Sequence, residues 1–272
     1  MLAASALQAY LDGPRLLDGP VRNARAHPRH QRVTADLVAG DHVLAVHLRS
    51  YGLATRVMPD VPAFWWCRAW AVATSEQELA VGWRCRRIIE HRGTGLRISP
   101  LLEWVEWTDE FLHPAWREVG YDDSSWPAPA AVPVTALPAA RSVPASVQLP
   151  TWPARKVKPA AVGVYRDTYT GYELDDLSIQ ITLSDLAPRP GQDIDGVWQR
   201  YDLGRVRIGA LELDVWTAAG GAVTVAYGEK LSQDGRVVPV LPLSLGPAQM
   251  VQRYAVPAGR RSNPCRALAA GG

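Results

Sequence analysis

Apolar and polar positions alternate with a period of two over much of this chain, and no helical pattern persists beyond two turns. The clearest run spans 211–227. There Leu211, Leu213 and Val215 alternate with Glu212 and Asp214, and Val223, Val225 and Tyr227 repeat the pattern. Such alternation buries one face of a strand and wets the other. Gly220 and Gly221 between the two runs predict a hairpin turn. Further strands are predicted over 31–36, 42–48, 67–73, 79–89, 102–107, 162–169 and 177–183. Asp109 to Arg117 has room only for a short turn, because Pro114 limits a helix there. Short strands broken by 22 Gly and 22 Pro predict an all-β fold of consecutive sandwiches.

The pattern weakens over 127–159, which holds eight Pro and few residues suited to a central strand. Proline removes ladder donors and favours extended chain, so this stretch reads as a linker or crossover. A chain of 272 residues suits two domains, and the boundary is predicted between 1–135 and 136–272.

Charge narrows the partners. Against 27 acidic residues stand 29 Lys and Arg, a formal net of +2, which gives no global reason to expect nucleic acid or an anionic membrane. The local basic groups, Arg84 with Arg86 and Arg87, Arg155 to Lys158, and Arg205 with Arg207, lack regular aromatic interleaving. They read as solvated strand faces. No apolar run approaches the roughly 20 residues that span a bilayer. The first ten residues lack the basic start of a secretory signal, so the expected compartment is the cytoplasm. Cys67, Cys85 and Cys265 have no metal spacing and read as small buried apolar residues.

Candidate chemistry is sparse. Glu212 and Asp214 share a strand face about 6.5–7 Å apart by strand rise. That spacing overlaps the acid and base of an inverting glycosidase, but a wet strand face explains the pair more simply. Asp193 and Asp195 lack the remaining ligands of a calcium loop. Asp122 and Asp123 suit an Asx turn about as well as a structural cation. The six His are scattered and no phosphate or dinucleotide loop is present, so neither metal nor cofactor is expected. Eleven Trp against two Phe stand out, since indole serves both sandwich cores and sugar stacking. Arg49, Tyr51, Trp65 and Trp66, near a Pro-rich loop, are the candidate sugar contacts; the simpler reading has Trp65 and Trp66 capping the core.

Two stretches carry a resemblance. The first runs from Tyr201, with Asp-Leu-Gly-Arg-Val-Arg-Ile-Gly before the strand at Leu211 and Tyr-Gly-Glu-Lys-Leu before a Gln-Asp-Gly turn. It resembles the β-sandwich that precedes the catalytic barrel of bacterial α-L-rhamnosidases, glycoside hydrolase family 78. The second combines Asp12-Gly13, Asp18-Gly19-Pro20, the 36–46 run and the closing Gly120-Tyr121-Asp122-Asp123-Ser124-Ser125-Trp126. It is similar to the galactose-binding-like jelly roll of many glycosidases, with His42 where Asn is usual and Trp126 expected to plug the sandwich. The resemblance covers about 10–256 and is densest over 201–254.

It implies a galactose-binding-like jelly roll followed by a concanavalin-like sandwich, accessory to an enzyme that hydrolyses terminal α-L-rhamnose from glycosides. In that family the acid and base stand on an (α/α)6 barrel, whose twelve helices of about 11 residues need well over 130 residues. After Tyr254 only 18 remain. No catalytic residue is therefore carried over, and the chain is expected to be inactive alone. Arg261 to Ala270 loses the pattern and reads as out-of-frame translation, and the jelly roll is expected to lack its first strands, leaving a marginally stable product. The implied partners are rhamnose-containing glycans and, in a full-length parent, the barrel. A stand-alone carbohydrate-binding protein and a structural sandwich without sugar affinity are the rival readings.

Overall fold

The computed structural model describes residues 2–3, 6–19, 29–49, 52, 65–72, 76–89, 114–131, 143–144, 155–165, 196–206, 211–231, 233, 235, 237–238, 240–243 and 246–265. These residues are all-β: small sheets, with one 3₁₀ turn and no α-helix among them. The chain divides into two compact units, residues 1–88 with 112–151 and residues 152–272 with 89–111.

In the first unit the strands are β1 (Leu2–Ala3), β2 (Ala6–Leu11), β3 (Arg15–Gly19), β4 (Arg29–His30), β5 (Leu44–Arg49), β6 (Trp65–Trp66), β7 (Ala69–Val72), β8 (Glu76–Leu79) and β9 (Val143–Pro144), with the 3₁₀ turn at Pro114–Arg117. A three-stranded antiparallel sheet, ordered β3-β2-β5, is its largest element. Leu7 and Ala9 of β2 are buried, and Leu17, Leu44, Val46 and Trp65 pack against them. The turn from β2 to β3 falls at Asp12 and Gly13, which take φ of +53° and +100°. Its Asp-Gly wording is hairpin chemistry, since both residues tolerate positive φ. Leu16 is an extra residue on β3, because Ala9 pairs with Leu17 and Tyr10 with Arg15.

The remaining pairs of this unit are short: β1 with β6 and β7 with β8 antiparallel, β4 with β9 parallel. Segment 31–38, predicted partly as strand, is irregular and mostly exposed. Val33, Leu37 and Val38 face water there, too few apolar residues to hold a buried face. Residues 80–89 likewise stand outside the ladders, and strand structure stops at Leu79. Predicted strands 102–107 and 177–183 lie outside the described residues.

The second unit holds β10 (Ala161–Tyr165), β11 (Gly196–Arg200), β12 (Leu211–Thr217), β13 (Gly221–Ala226), β14 (Val240–Leu243), β15 (Gly246–Gln249), β16 (Val251–Val256) and β17 (Gly259–Cys265). β12 and β13 are strands as predicted, but they do not pair with each other. β12 pairs with β17 and β13 with β16, both antiparallel. The four form one long ribbon broken at a bend, where Ala218, Ala219 and Gly220 stand against Pro257 and Ala258. One extra residue on one side is the geometry of a bulge, which bends a strand without reversing it. Gly220 takes φ +85°, and its N–H donates to the Thr217 hydroxyl at 2.6 Å. The two glycines that predict a hairpin turn therefore make a bend.

The tail departs from expectation too. Residues 259–265 continue the ladder to Cys265 although their side chains do not alternate. Backbone pairing needs no apolar period, so the pattern could not show this strand. Leu231 and Val237 bridge across the position of the predicted Gln-Asp-Gly turn, and Gly235 takes φ +81°.

Candidate functional site

Alternation along β2 gives the three-stranded sheet two different faces. Leu7 and Ala9 lie on the apolar one, and Gln8 and Tyr10 on the other. In register opposite them on β5 stand His47 against Gln8, Ala45 against Tyr10, and Arg49 against Ala6. The 3₁₀ turn at Pro114–Arg117 covers this second face. Trp116 meets Tyr10 edge to face at 5.9 Å and His47 at 6.5 Å between centroids. The Arg117 guanidinium lies 4.4 Å from the Tyr10 centroid and 5.8 Å from that of Trp116. Cation–π attraction and edge-to-face packing thus bury Tyr10 to 5 % exposure. Its hydroxyl donates to Gln8 Oε1 at 3.2 Å.

The result is a half-buried cluster of amide, imidazole, indole and guanidinium on a three-stranded sheet. Aromatic faces and fixed donors are the components that orient a polyhydroxylated ligand. Sequence reasoning finds Arg49 but misses Gln8, Tyr10, His47, Trp116 and Arg117. Their approach depends on folding the 114–117 turn over a strand a hundred residues earlier, which no local pattern reports.

The four residues singled out by sequence do not converge. Arg49 belongs to the face of His47, whereas Trp65 packs on the opposite, apolar face. Trp65 meets Trp83 edge to face at 5.6 Å, and its indole N–H is buried with no hydrogen-bond partner among the described residues. Trp66, the next residue, turns to His30 at 6.5 Å. Burial pushes the His30 imidazole below its usual pKa. Tyr51 lies outside the described residues.

Other sequence signals also settle into structure. Asp122 Oδ1 accepts the Ser124 N–H at 3.0 Å, an Asx turn, one of the two readings of this pair from sequence, and the Ser124 hydroxyl and N–H hold its carboxyl below the usual range. Trp126, expected inside the sandwich, is half-buried at the edge of Tyr121, 5.7 Å away, with Arg86 over its ring at 5.4 Å. Arg84 donates to Trp126 O at 3.1 Å, and the Cys85 N–H donates to Pro127 O at 2.9 Å. The Arg84–Arg86 pair, read from sequence as a solvated face, therefore holds this turn. Cys85 is exposed and not a buried apolar residue, while burial raises the pKa of Cys67. In the second unit, Asp202 Oδ1 accepts the Gly204 N–H at 2.7 Å, and Asp214 is exposed on the outer face of β12.

No group of three or more His, Cys, Asp or Glu able to hold a metal occurs among the described residues. No helix among them is long and apolar enough to cross a membrane. No family model, curated protein or solved structure matches the chain.

Proposed function

We propose that this chain is a non-catalytic, carbohydrate-contacting pair of β-sandwich modules of the α-L-rhamnosidase type. In this reading a galactose-binding-like jelly roll precedes a concanavalin-like sandwich, and both serve an enzyme that removes terminal α-L-rhamnose from glycosides. The observation that carries it is the wording of 201–235, with its Asp-Leu-Gly turn, alternating strand and Tyr-Gly-Glu-Lys-Leu lead into a Gln-Asp-Gly turn. The all-β fold of the described residues supports it, as do the turns at Asp202 and Gly235. Chemistry supports the non-catalytic part. Asp214 is exposed on a strand face, whereas a general acid needs a pocket that desolvates both its carboxyl and the sugar ring.

Contact with sugar falls to the face that carries Gln8, Tyr10, His47, Arg49, Trp116 and Arg117. Its donors would meet ring hydroxyls while Trp116 offers apolar surface to a C–H face. Titration of the intact chain with L-rhamnose, followed by amide NMR, tests this. Saturable shifts centred on β2, β5 and 114–117 are expected, weakened at least several-fold in Arg49→Ala and Trp116→Ala. Trp65→Ala lowers stability and leaves the affinity of the folded fraction unchanged. Spectra that do not respond to L-rhamnose or to aryl rhamnosides contradict the proposal.

A further inference from the structure

The turn between β2 and β3 is tied to the segment entering β5 by three hydrogen bonds, and a fourth within that segment completes the clamp. The Asp12 N–H donates to Val43 O at 3.0 Å, and Asp12 Oδ1 accepts the Val43 N–H at 2.8 Å. Asp12 Oδ2 lies 2.7 Å from His42 Nδ1, and His42 Nε2 lies 2.8 Å from Val38 O. A carbonyl oxygen only accepts, so Nε2 carries a hydrogen; an ionised carboxylate only accepts, so Nδ1 carries one as well. Both ring nitrogens donate together only in the imidazolium. The geometry therefore calls for a positively charged His42.

Its surroundings are acidic. Asp12 faces it from the turn, and Asp41 adjoins it on its own segment. Glu118, just after the 3₁₀ turn, has its Cγ 3.7 Å from where a Cβ on Gly13 would lie. Arg117, the nearest cation on that element, stacks on Tyr10 and Trp116. The Val38 carbonyl and the Asp12 carboxylate hold the His42 pKa above its usual value. The Val43 N–H and His42 hold Asp12 below the usual carboxylate range.

We propose that the Asp12–His42–Val38 clamp is a pH-operated latch. Charged His42 fixes the Asp12–Gly13 turn, and with it the 114–118 segment that covers Tyr10; neutral His42 releases them. On loss of the proton one ring nitrogen turns a lone pair toward an oxygen, and attraction at that point becomes repulsion. Asp12, held at positive φ by the clamp, is then free to leave it. The sign follows from linkage. His42 is raised on folding, so its contribution is complete below about pH 6.5, the unfolded value, and disappears as pH rises through the folded one. Asp12 is lowered, so its contribution is present above about pH 3.9 and is lost as pH falls through its folded value. The latch is closed between these limits. It stands on the turn geometry and not on the sugar reading.

Long-range nitrogen–proton spectra of the ¹⁵N-histidine-labelled intact chain, with hydrogen exchange at Val43, provide the test. Expected are two protonated ring nitrogens on His42 below its midpoint, and a midpoint above about 6.5. The Val43 protection factor should fall at least tenfold through that midpoint. Asp12→Asn should lower the midpoint, and His42→Asn should abolish the step in Val43 protection. A His42 midpoint at or below about 6.5, or Val43 protection level through that midpoint, overturns the proposal. The unsubstituted chain decides this even where a variant fails to fold.

Discussion

Two strands of this protein carry the same wording and put it to different use. β2 reads Gln8-Ala9-Tyr10 and β16 reads Gln252-Arg253-Tyr254. In each, the tyrosine hydroxyl donates to the glutamine Oε1 two residues back, at 3.2 Å in β2 and 2.9 Å in β16. Period two makes this possible, since both side chains leave the same face. Around Tyr10 the neighbours are half-buried and polar: Gln8, His47, Trp116 and Arg117. Around Tyr254 the strand is dry, with Met250, Val251 and Gln252 all buried. The same bond joins a half-buried polar cluster in one place and satisfies a buried amide in the other. Solvent, not the motif, sets how much the bond contributes.

Substitutions sharpen the contrast. The largest effect is expected where the two strands agree, at their fully buried apolar residues Leu7 and Val251. Leu7→Ala should cost about 2–5 kcal/mol in urea unfolding, from lost transfer energy plus a cavity. Val251→Ala removes less and should cost about 2 kcal/mol. A smaller loss at Leu7 than at Val251 would show that the first sheet has no true core.

Next comes the hydroxyl. Tyr254→Phe should cost about 1–2 kcal/mol, because a hydrogen bond is lost where water does not reach. Tyr10→Phe should cost about 0.5 kcal/mol, because Gln8 is half-exposed and water replaces the donor. Equal costs would erase the distinction between a dry and a wet pair. The least effect is expected in the β7–β8 hairpin, whose Arg68 donates to Glu78 at 2.6 and 2.7 Å with both side chains about half exposed. Arg68→Ala should leave the unfolding midpoint unmoved, since water and salt screen such a pair.

How far these features are legible in the chain depends on whether they are local. The Asp12-Gly13 turn, the strand around 44–48 and the alternation at 211–215 can be read directly, because each rests on neighbouring residues. Pairing cannot. Nothing in the Leu211 run says that its partner is 259–265 and not 221–226, and Gly220-Gly221 favours the wrong answer. Glycine permits a bend as readily as a reversal. The same limit hides the Tyr10 cluster, since Trp116 and Arg117 reach it only through tertiary folding. Arg84 and Arg86 look like solvated charges, yet they grip the turn at Trp126. His42 is visible as a departure from Asn, but its two acceptors, Asp12 and Val38, come from separate parts of the chain.

The central claim, that these strands hold sugar and break no bond, meets its most direct test in calorimetric titration of the intact chain with an aryl α-L-rhamnoside. The account predicts heats that saturate with each injection returning to baseline and no phenol set free. Sustained heat of turnover, with aryl release that Asp214→Asn abolishes, would contradict it.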